Sequence, residues 1–280
     1  MDDPIRIFVG CSANNEDLES QSVFEFTLRR YCSRPIDIVW MQLSRDPASP
    51  YYSNPGTDAG WRTTNWATPF SGLRWSIPAV CQFQGRGIYV DSDFIFKADI
   101  AEIWDQPIPE GKVVIAKGAG APGRYCCSVW DAAAAGRAIS VGLRLHPDAT
   151  PATQLAALQR DPGSHDRLTR HFRAHQELIE PFANRDFNVL DYNLPADLSA
   201  PHVGAIHYTW MERQPQLRHA IPRLAAAGRQ HWFDGRVEVD KQRPDLLELF
   251  DTELAAATEA GLPPSAYQHE PYGTYSIRGK

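Results

Sequence analysis

Two short apolar runs open the chain, at Ile5–Gly10 and at residues 36–43, and between them Phe24, Leu28 and Tyr31 recur at the spacing of one helix face. That order predicts a β-α-β unit. Neither run alternates polar with apolar residues, the pattern of strands covered on both faces in a mostly parallel sheet. The expected class is therefore α/β. Residues 44–60 are rich in Pro, Ser, Asn, Asp and Gly and read as a long surface loop. Loops of that length inside a compact domain are often functional.

Beyond the loop, residues 70–80 read as helical as far as Pro78. Residues 87–90 read as a strand that stops at Asp91-Ser92-Asp93, and Ile100, Ile103 and Trp104 as a short helix behind it. Another strand is expected at 113–116, a glycine-rich turn at 118–123, and then the run 126–130 followed by the alanines 132–135. Thr150 before Pro151 is a helix start, a side-chain cap followed by proline at the first helical position. A second helix is expected to carry Leu168, Phe172 and Ile179. Residues 203–207 read as a strand ending in polar residues, and 244–260 as a helix with Leu247, Phe250 and Leu254 inward and Gly261 at its end. The tail from Leu262, with Tyr267, Tyr272 and Tyr275, has no clear period.

At 280 residues the chain can bury a full-sized core as one large domain or two small ones. Its 34 acidic and 28 basic residues leave a net charge of −6, the opposite of the surface that nucleic acid or an anionic bilayer attracts. Nucleic acid is therefore not the expected partner. The cysteines, Cys11, Cys32, Cys81, Cys126 and Cys127, contain no C-x-x-C pair and fit a reducing compartment. The opening residues lack the basic-then-apolar order of a secretory leader, and no stretch approaches the ~20 apolar residues of a membrane span. A cytoplasmic protein is expected, at most peripheral to the inner face of a membrane.

The chemistry gathers at Ile88-Tyr89-Val90-Asp91-Ser92-Asp93, where a buried strand ends in two carboxylates one residue apart. In an open α/β sheet, ligands collect beyond the carboxyl ends of strands. Two acids this close repel unless a cation lies between them, and a divalent ion that prefers oxygen is the usual answer. A solvated turn is the plain alternative, and Glu238-Val239-Asp240 repeats the pattern without a strand before it.

With residues 68–78 before the strand and Asp99-Ile100-Ala101-Glu102-Ile103-Trp104 after the acids, the chain resembles the GT-A glycosyltransferases. Within them it resembles the retaining, glycogenin-like and galactosyltransferase-like family 8, in which an arginine-bearing helix leads to an apolar-Tyr-x-Asp-x-Asp strand. The segment Ala205-Ile206-His207-Tyr208-Thr209, followed by Arg213-Gln214-Pro215, resembles the family's second motif. The resemblance implies that Asp91, Asp93 and His207 hold Mn²⁺, with Mg²⁺ as the alternative, and that Arg74, Asp91 and Ser92 meet the nucleotide. Arg213 would stand for the family's diphosphate lysine, although aligning Gln214-Pro215 with the Lys-Pro pair removes the basic residue altogether. In Arg185-Asp186-Phe187-Asn188-Val189-Leu190-Asp191, Phe187 replaces the glutamine placed near the reacting carbon, so Asn188 or Asp191 would supply the catalytic polar contacts. Gly10, Cys11 and Ser12 fall where the family holds base and ribose, and Ser128 where it touches sugar hydroxyls. Each has a structural alternative: Asp191 as the cap of the next turn, Arg213 as a rim arginine, His207 as a buried hydrogen-bonder, Cys11 as packing.

The resemblance covers residues 5 to about 217. It implies a single GT-A domain, a mixed central sheet flanked by helices, with a nucleotide-binding half at 1–118, an acceptor half at 119–215 and a helical segment at 216–280. The expected reaction moves a hexose from a nucleoside diphosphate sugar, a UDP-sugar, to the hydroxyl of a carbohydrate, lipid-linked or small-molecule acceptor, with retention. A nucleotidyltransferase or sugar-nucleotide hydrolase is the alternative enzyme class, though the turn Gly10-Cys11-Ser12-Ala13-Asn14-Asn15 lacks the glycine-rich basic loop that chemistry uses. A non-catalytic carbohydrate-binding protein is the third reading.

Overall fold

The computed structural model describes residues 3–118, 121 and 124–278. Four residues of the expected glycine-rich turn, 119, 120, 122 and 123, lie outside these. β1 (Ile5–Gly10), α1 (Leu18–Tyr31) and β2 (Ile36–Met41) form the parallel β-α-β unit. A hairpin of β3 (Ser53–Asn54) and β4 (Ala59–Gly60) organises the 44–60 loop. A 3-10 turn, Leu73–Ser76, then runs into the single turn of α2 (Ile77–Val80). The helix passes through Pro78 instead of ending there, because the proline sits in the first turn, where its missing N–H has no partner to lose.

β5 (Arg86–Asp91) pairs parallel with β1 and sets Asp91 opposite Gly10. β6 (Phe94–Phe96), α3 (Ala101–Trp104), β7 (Val114–Ala116), β8 (Cys127–Asp131) and α4 (Ala132–Leu143) follow. α4 is capped by the Asp131 carboxylate, which accepts from Ala134 N at 2.8 Å. α5 (Pro151–Arg160) opens on Thr150 as expected. α6 (Ser164–Ala174) stops short of Ile179, which belongs to β9 (Ile179–Pro181). The helical spacing from Phe172 to Ile179 was thus a coincidence across a turn. β10 (Val189–Leu190), β11 (Ala205–His207), α7 (Leu217–Ala226) and α8 (Pro244–Glu259) complete the chain.

The main sheet runs β2-β1-β5-β8-β7-β9, with β8 antiparallel to both neighbours. Its strands deal side chains alternately to two cores. Ile7, Val9, Ile88, Val90 and Val129 face α1 and α3, while Phe8, Tyr89 and Trp130 face α2, α4, α5 and α6. This double cover explains the unbroken apolar runs of β1 and β5. β2 departs from the expectation: it is the edge strand and most of it is half-buried. α8 packs on α1 through Leu246, Phe250 and Ala257, leaving Leu247 and Leu254 half-buried, and its buried Glu253 pairs with Arg30 at 2.9 Å. No helix among the described residues is long and apolar enough to cross a membrane.

A second, three-stranded sheet, β10-β11-β6, stands beside the first. β6 leaves β5 after only Ser92 and Asp93 and pairs antiparallel with β11, which sets His207 opposite Phe94. The acidic turn and the histidine, 114 or more residues apart in sequence, thereby meet at one corner.

Candidate functional site

Asp91 is buried at the end of β5. Tyr89, two residues earlier on the same face, donates its hydroxyl to Asp91 Oδ1 at 2.5 Å, and Arg74 Nη2 approaches the same oxygen at 3.4 Å. A Cβ on Gly10 would run into the Tyr89 hydroxyl and the Phe70 ring, so only glycine opposite Asp91 leaves room for this contact. Arg74 is fully enclosed, held by Nε to Ser71 O at 2.8 Å and lying over the Tyr89 ring at 4.7 Å. Burial opposes its charge, but Tyr89 and Asp91 beside it outweigh that and raise its pKa.

His207 closes the corner from β11. Its Nδ1 lies 2.8 Å from Asn188 Oδ1, and since an amide oxygen only accepts, Nδ1 carries the proton and Nε2 presents a lone pair. The ring stacks on Phe94 with centroids 4.2 Å apart. Burial, then Arg74 and Lys117, lower its pKa to about 3, so the imidazole is neutral near pH 7.

Nε2 faces Asp93 Oδ1 at 3.4 Å. That oxygen is buried and has no hydrogen-bond partner among the described residues, while Oδ2 accepts from Gln214 Nε2 at 2.7 Å. Burial, then Asp91 and Asp17, push the Asp93 carboxyl well above the usual carboxylate range. At this buried strand end an acceptor nitrogen thus faces a carboxyl oxygen that holds a proton more readily than usual, and either that proton or a cation must lie between them. An Asp91 oxygen, a His207 nitrogen and Cys126 Sγ lie within 4.8 Å of one another at the same point. The donor set fits a divalent ion.

Three of these contributors were not visible in the sequence. Gln214 is 121 residues from the acid it holds, and the same Nε2 also donates to Tyr208 O at 2.6 Å. Cys126 carried no metal-type spacing. Lys117 pairs with Asp186 and donates to Asn188 O, tying the segment 185–191 to the end of β7.

The remaining expected residues are spread around this corner. Asn188 is buried against His207, whereas Asp191 is a buried tie, accepting from Tyr192 N at 3.1 Å and from Gln242 at 3.0 Å. Ser128 is fully buried in β8, where its hydroxyl accepts from Trp130 Nε1 at 2.9 Å and donates to Tyr125 O at 3.2 Å. Arg213 stacks its guanidinium on the exposed Trp210 at 3.8 Å. Ser92 N donates to Gly10 O at 3.0 Å, joining the acidic turn to β1. Ser12 N donates to Asp17 Oδ2 at 2.6 Å, and Cys11 is a packed thiol whose pKa burial raises.

Residues 12–17 are all buried although most are polar, because the tail roofs them. Asn14 exchanges two bonds with the Gly273 backbone at 2.7 and 2.8 Å, Tyr272 N donates to Ala13 O at 2.9 Å, and Tyr275 Oη donates to Glu16 at 2.9 Å. The segment without a period is therefore a fixed cover on the first βα turn.

No family model matches the chain, and no curated protein matches it in sequence. Among solved structures, an active-site mutant of LgtC is 12% identical with a TM-score of 0.52, over 90% of this chain and 96% of that one. The glycosyltransferase GlyE of Streptococcus pneumoniae TIGR4 is 10% identical with a TM-score of 0.50, over 94% of this chain and 65% of its own. The bifunctional glycosyltransferase WbbM is 16% identical with a TM-score of 0.39, and the chain spans 46% of it. The fold, a mixed sheet flanked by helices with its acidic turn at a strand end, is the GT-A fold of glycosyltransferases.

Proposed function

We propose that this chain is a glycosyltransferase that moves a hexose from a nucleoside diphosphate sugar, a UDP-sugar, to an acceptor hydroxyl with retention at the anomeric carbon. The observation that carries this reading is the unpartnered Asp93 Oδ1 facing the unprotonated Nε2 of His207 at the acidic corner of a GT-A fold.

Asp91, Asp93 and His207 would hold a divalent ion, which supplies neutralisation of the charge that builds on the leaving diphosphate. The protein's own residues do the rest. Asn188 fixes the tautomer and the plane of His207, and Gln214 holds Asp93 by its other oxygen. Arg74 would offer its guanidinium fork to phosphate oxygens, with Arg213 as a second cation from the rim. Gly10, Cys11 and Ser12 would border base and ribose together with Ser92, and the tail would wall that side. The thiol of Cys11 is buried and its pKa raised, so it is no attacking group, and the donor's own diphosphate would take the acceptor's proton. Residues 1–118 would serve the donor and 119–215 the acceptor, in the cytoplasm.

Incubating the full chain with UDP-sugars, a divalent ion and a panel of glycoside acceptors tests this, with product glycoside and UDP read separately. Equal amounts of both support transfer. Release of nucleoside monophosphate or pyrophosphate instead would point to the nucleotidyltransferase or hydrolase class, and no turnover with tight glycan binding to the binding-protein reading.

A further inference from the structure

Cys126 is the member of the acidic corner that a two-acid-plus-histidine pattern leaves out. It ends the 3-10 turn Arg124–Cys126, one residue before Cys127 pairs with Val90 of β5, so sheet register brings it beside the acids. Its Sγ shares a 4.8 Å neighbourhood with an Asp91 oxygen and a His207 nitrogen. Arg74 spans this group, Nη1 reaching Cys126 Sγ at 3.7 Å and Nη2 reaching Asp91 Oδ1 at 3.4 Å. A guanidinium thus already lies across the two side chains that would act as anionic ligands.

We propose that the cation site of this chain is a mixed centre of Asp91, Cys126 and His207, with Asp93 as fourth donor, and that it selects Zn²⁺ or Co²⁺ over Mn²⁺ and Mg²⁺. The inference rests on the cation-holding reading above and changes which ion it names. Thiolate and imidazole favour ions late in the first transition row, whereas Mg²⁺ and Mn²⁺ favour sites built from oxygen. Four donors of N, O and S type match the tetrahedral habit of Zn²⁺. Ligand atoms about such an ion lie roughly 3.3–3.8 Å apart, given bonds of about 2.0–2.3 Å. Asp93 Oδ1 and His207 Nε2 are at that separation already, 3.4 Å, while the donor atoms of Asp91, Cys126 and His207, which lie within 4.8 Å of one another, must close by about 1 Å. The thiol proton leaves to solvent as the ion enters, and the thiolate with the carboxylates of Asp91 and Asp93 then brings three negative charges, which the two of the ion and the one of Arg74 balance.

Titrating the reduced full chain with Co²⁺ alone reads the ligand set without any activity measurement. One equivalent should raise the near-ultraviolet thiolate-to-cobalt charge-transfer band, Zn²⁺ should quench it, and Mn²⁺ at the same concentration should not. Cys126→Ser should abolish the band and weaken Zn²⁺ by roughly tenfold or more while leaving Mn²⁺ affinity near its original value. Cys127→Ser, whose thiol is fully buried in the apolar core and is not among the grouped donor atoms, should leave the band intact and controls for folding. Binding of Co²⁺ that depends on Asp93 and His207 but shows no thiolate band, with Zn²⁺ affinity unchanged in Cys126→Ser, would overturn the mixed centre and leave the cation-holding reading standing. If Co²⁺, Zn²⁺ and Mn²⁺ all fail to bind, both readings fall together.

Discussion

Asn188 Oδ1 lies 2.8 Å from His207 Nδ1, and that contact decides which nitrogen of the ring faces the acids. The asparagine sits just ahead of β10 and the histidine at the end of β11, and the parallel pairing of Val189 with Ile206 and of Leu190 with His207 keeps them on neighbouring strands, two residues apart in register. Asn188→Ala should free the ring and lower divalent-ion affinity by about 10–100-fold, the usual cost of losing a ligand's outer partner. Asn188→Asp, which can still accept from Nδ1, should keep most of the affinity. Calorimetric titration of the two variants separates orientation from a general loss of folding, since only the alanine variant should fail.

Gly10 should tolerate no side chain. A methyl there meets the hydroxyl of Tyr89 and the ring of Phe70, and overpacking of this kind costs about 1–3 kcal/mol. Gly10→Ala should therefore lower the urea midpoint and weaken cation binding together, because Tyr89 is displaced from Asp91. Tyr89→Phe removes the hydrogen bond without the clash, and should cost about 1.5–3 kcal/mol.

The contact between the tail and the first turn should make stability depend on pH. Burial, then the neighbouring Asp17, raise the Glu16 pKa from 4.5 to about 7. A carboxyl whose folded pKa lies above its unfolded one stabilises fully below the unfolded value and loses that contribution as pH rises through the folded one. Unfolding free energy should fall between about pH 4.5 and pH 7, by at most about 3 kcal/mol. Glu16→Gln keeps a side-chain oxygen for the Tyr275 hydroxyl and should flatten this slope. Urea titrations at about pH 5 and about pH 8 check it, and an unchanged slope in the variant would assign the dependence to another group.

The parts of the fold that were legible in the sequence are those whose side chains report burial directly. β1 and β5 are covered on both faces and read as unbroken apolar runs, and Asp91 and Asp93 stand out because they end such a run. β6 escaped because three residues starting just after two acids carry no period, whereas α7 falls within the expected helical segment 216–280, its bounds blurred by Pro222 inside it. β2 has an apolar run as continuous as that of β1 although it is an edge strand, since Trp40 is covered by Phe24 and by Tyr267 from the tail. The tail itself, Gln214 and Cys126 work through partners 52 to 259 residues away, and local composition holds no record of such pairings.

Arg74→Lys should weaken nucleotide binding even though the charge is kept. The guanidinium reaches Cys126 and Asp91 with two separate nitrogens while Nε holds Ser71, and an ammonium cannot make all three contacts. UDP affinity should fall by roughly tenfold, equivalent to about 1.4 kcal/mol and within the range of a lost charged hydrogen bond. The far-ultraviolet circular dichroism should be unchanged.

In the proposed function a cation held by Asp91, Asp93 and His207 joins the protein to a nucleoside diphosphate. Calorimetric titration of UDP into the full chain with and without a divalent ion, in the wild type and in Asp93→Asn, tests that linkage. Reciprocal coupling is required if both ligands share one site. UDP should bind the wild type at least about tenfold more tightly with the ion present, a coupling of about 1.4 kcal/mol, and Asp93→Asn should erase the difference. UDP affinity that is the same with and without the ion, or a coupling that survives in Asp93→Asn, would mean that no cation held at this corner links the protein to the diphosphate.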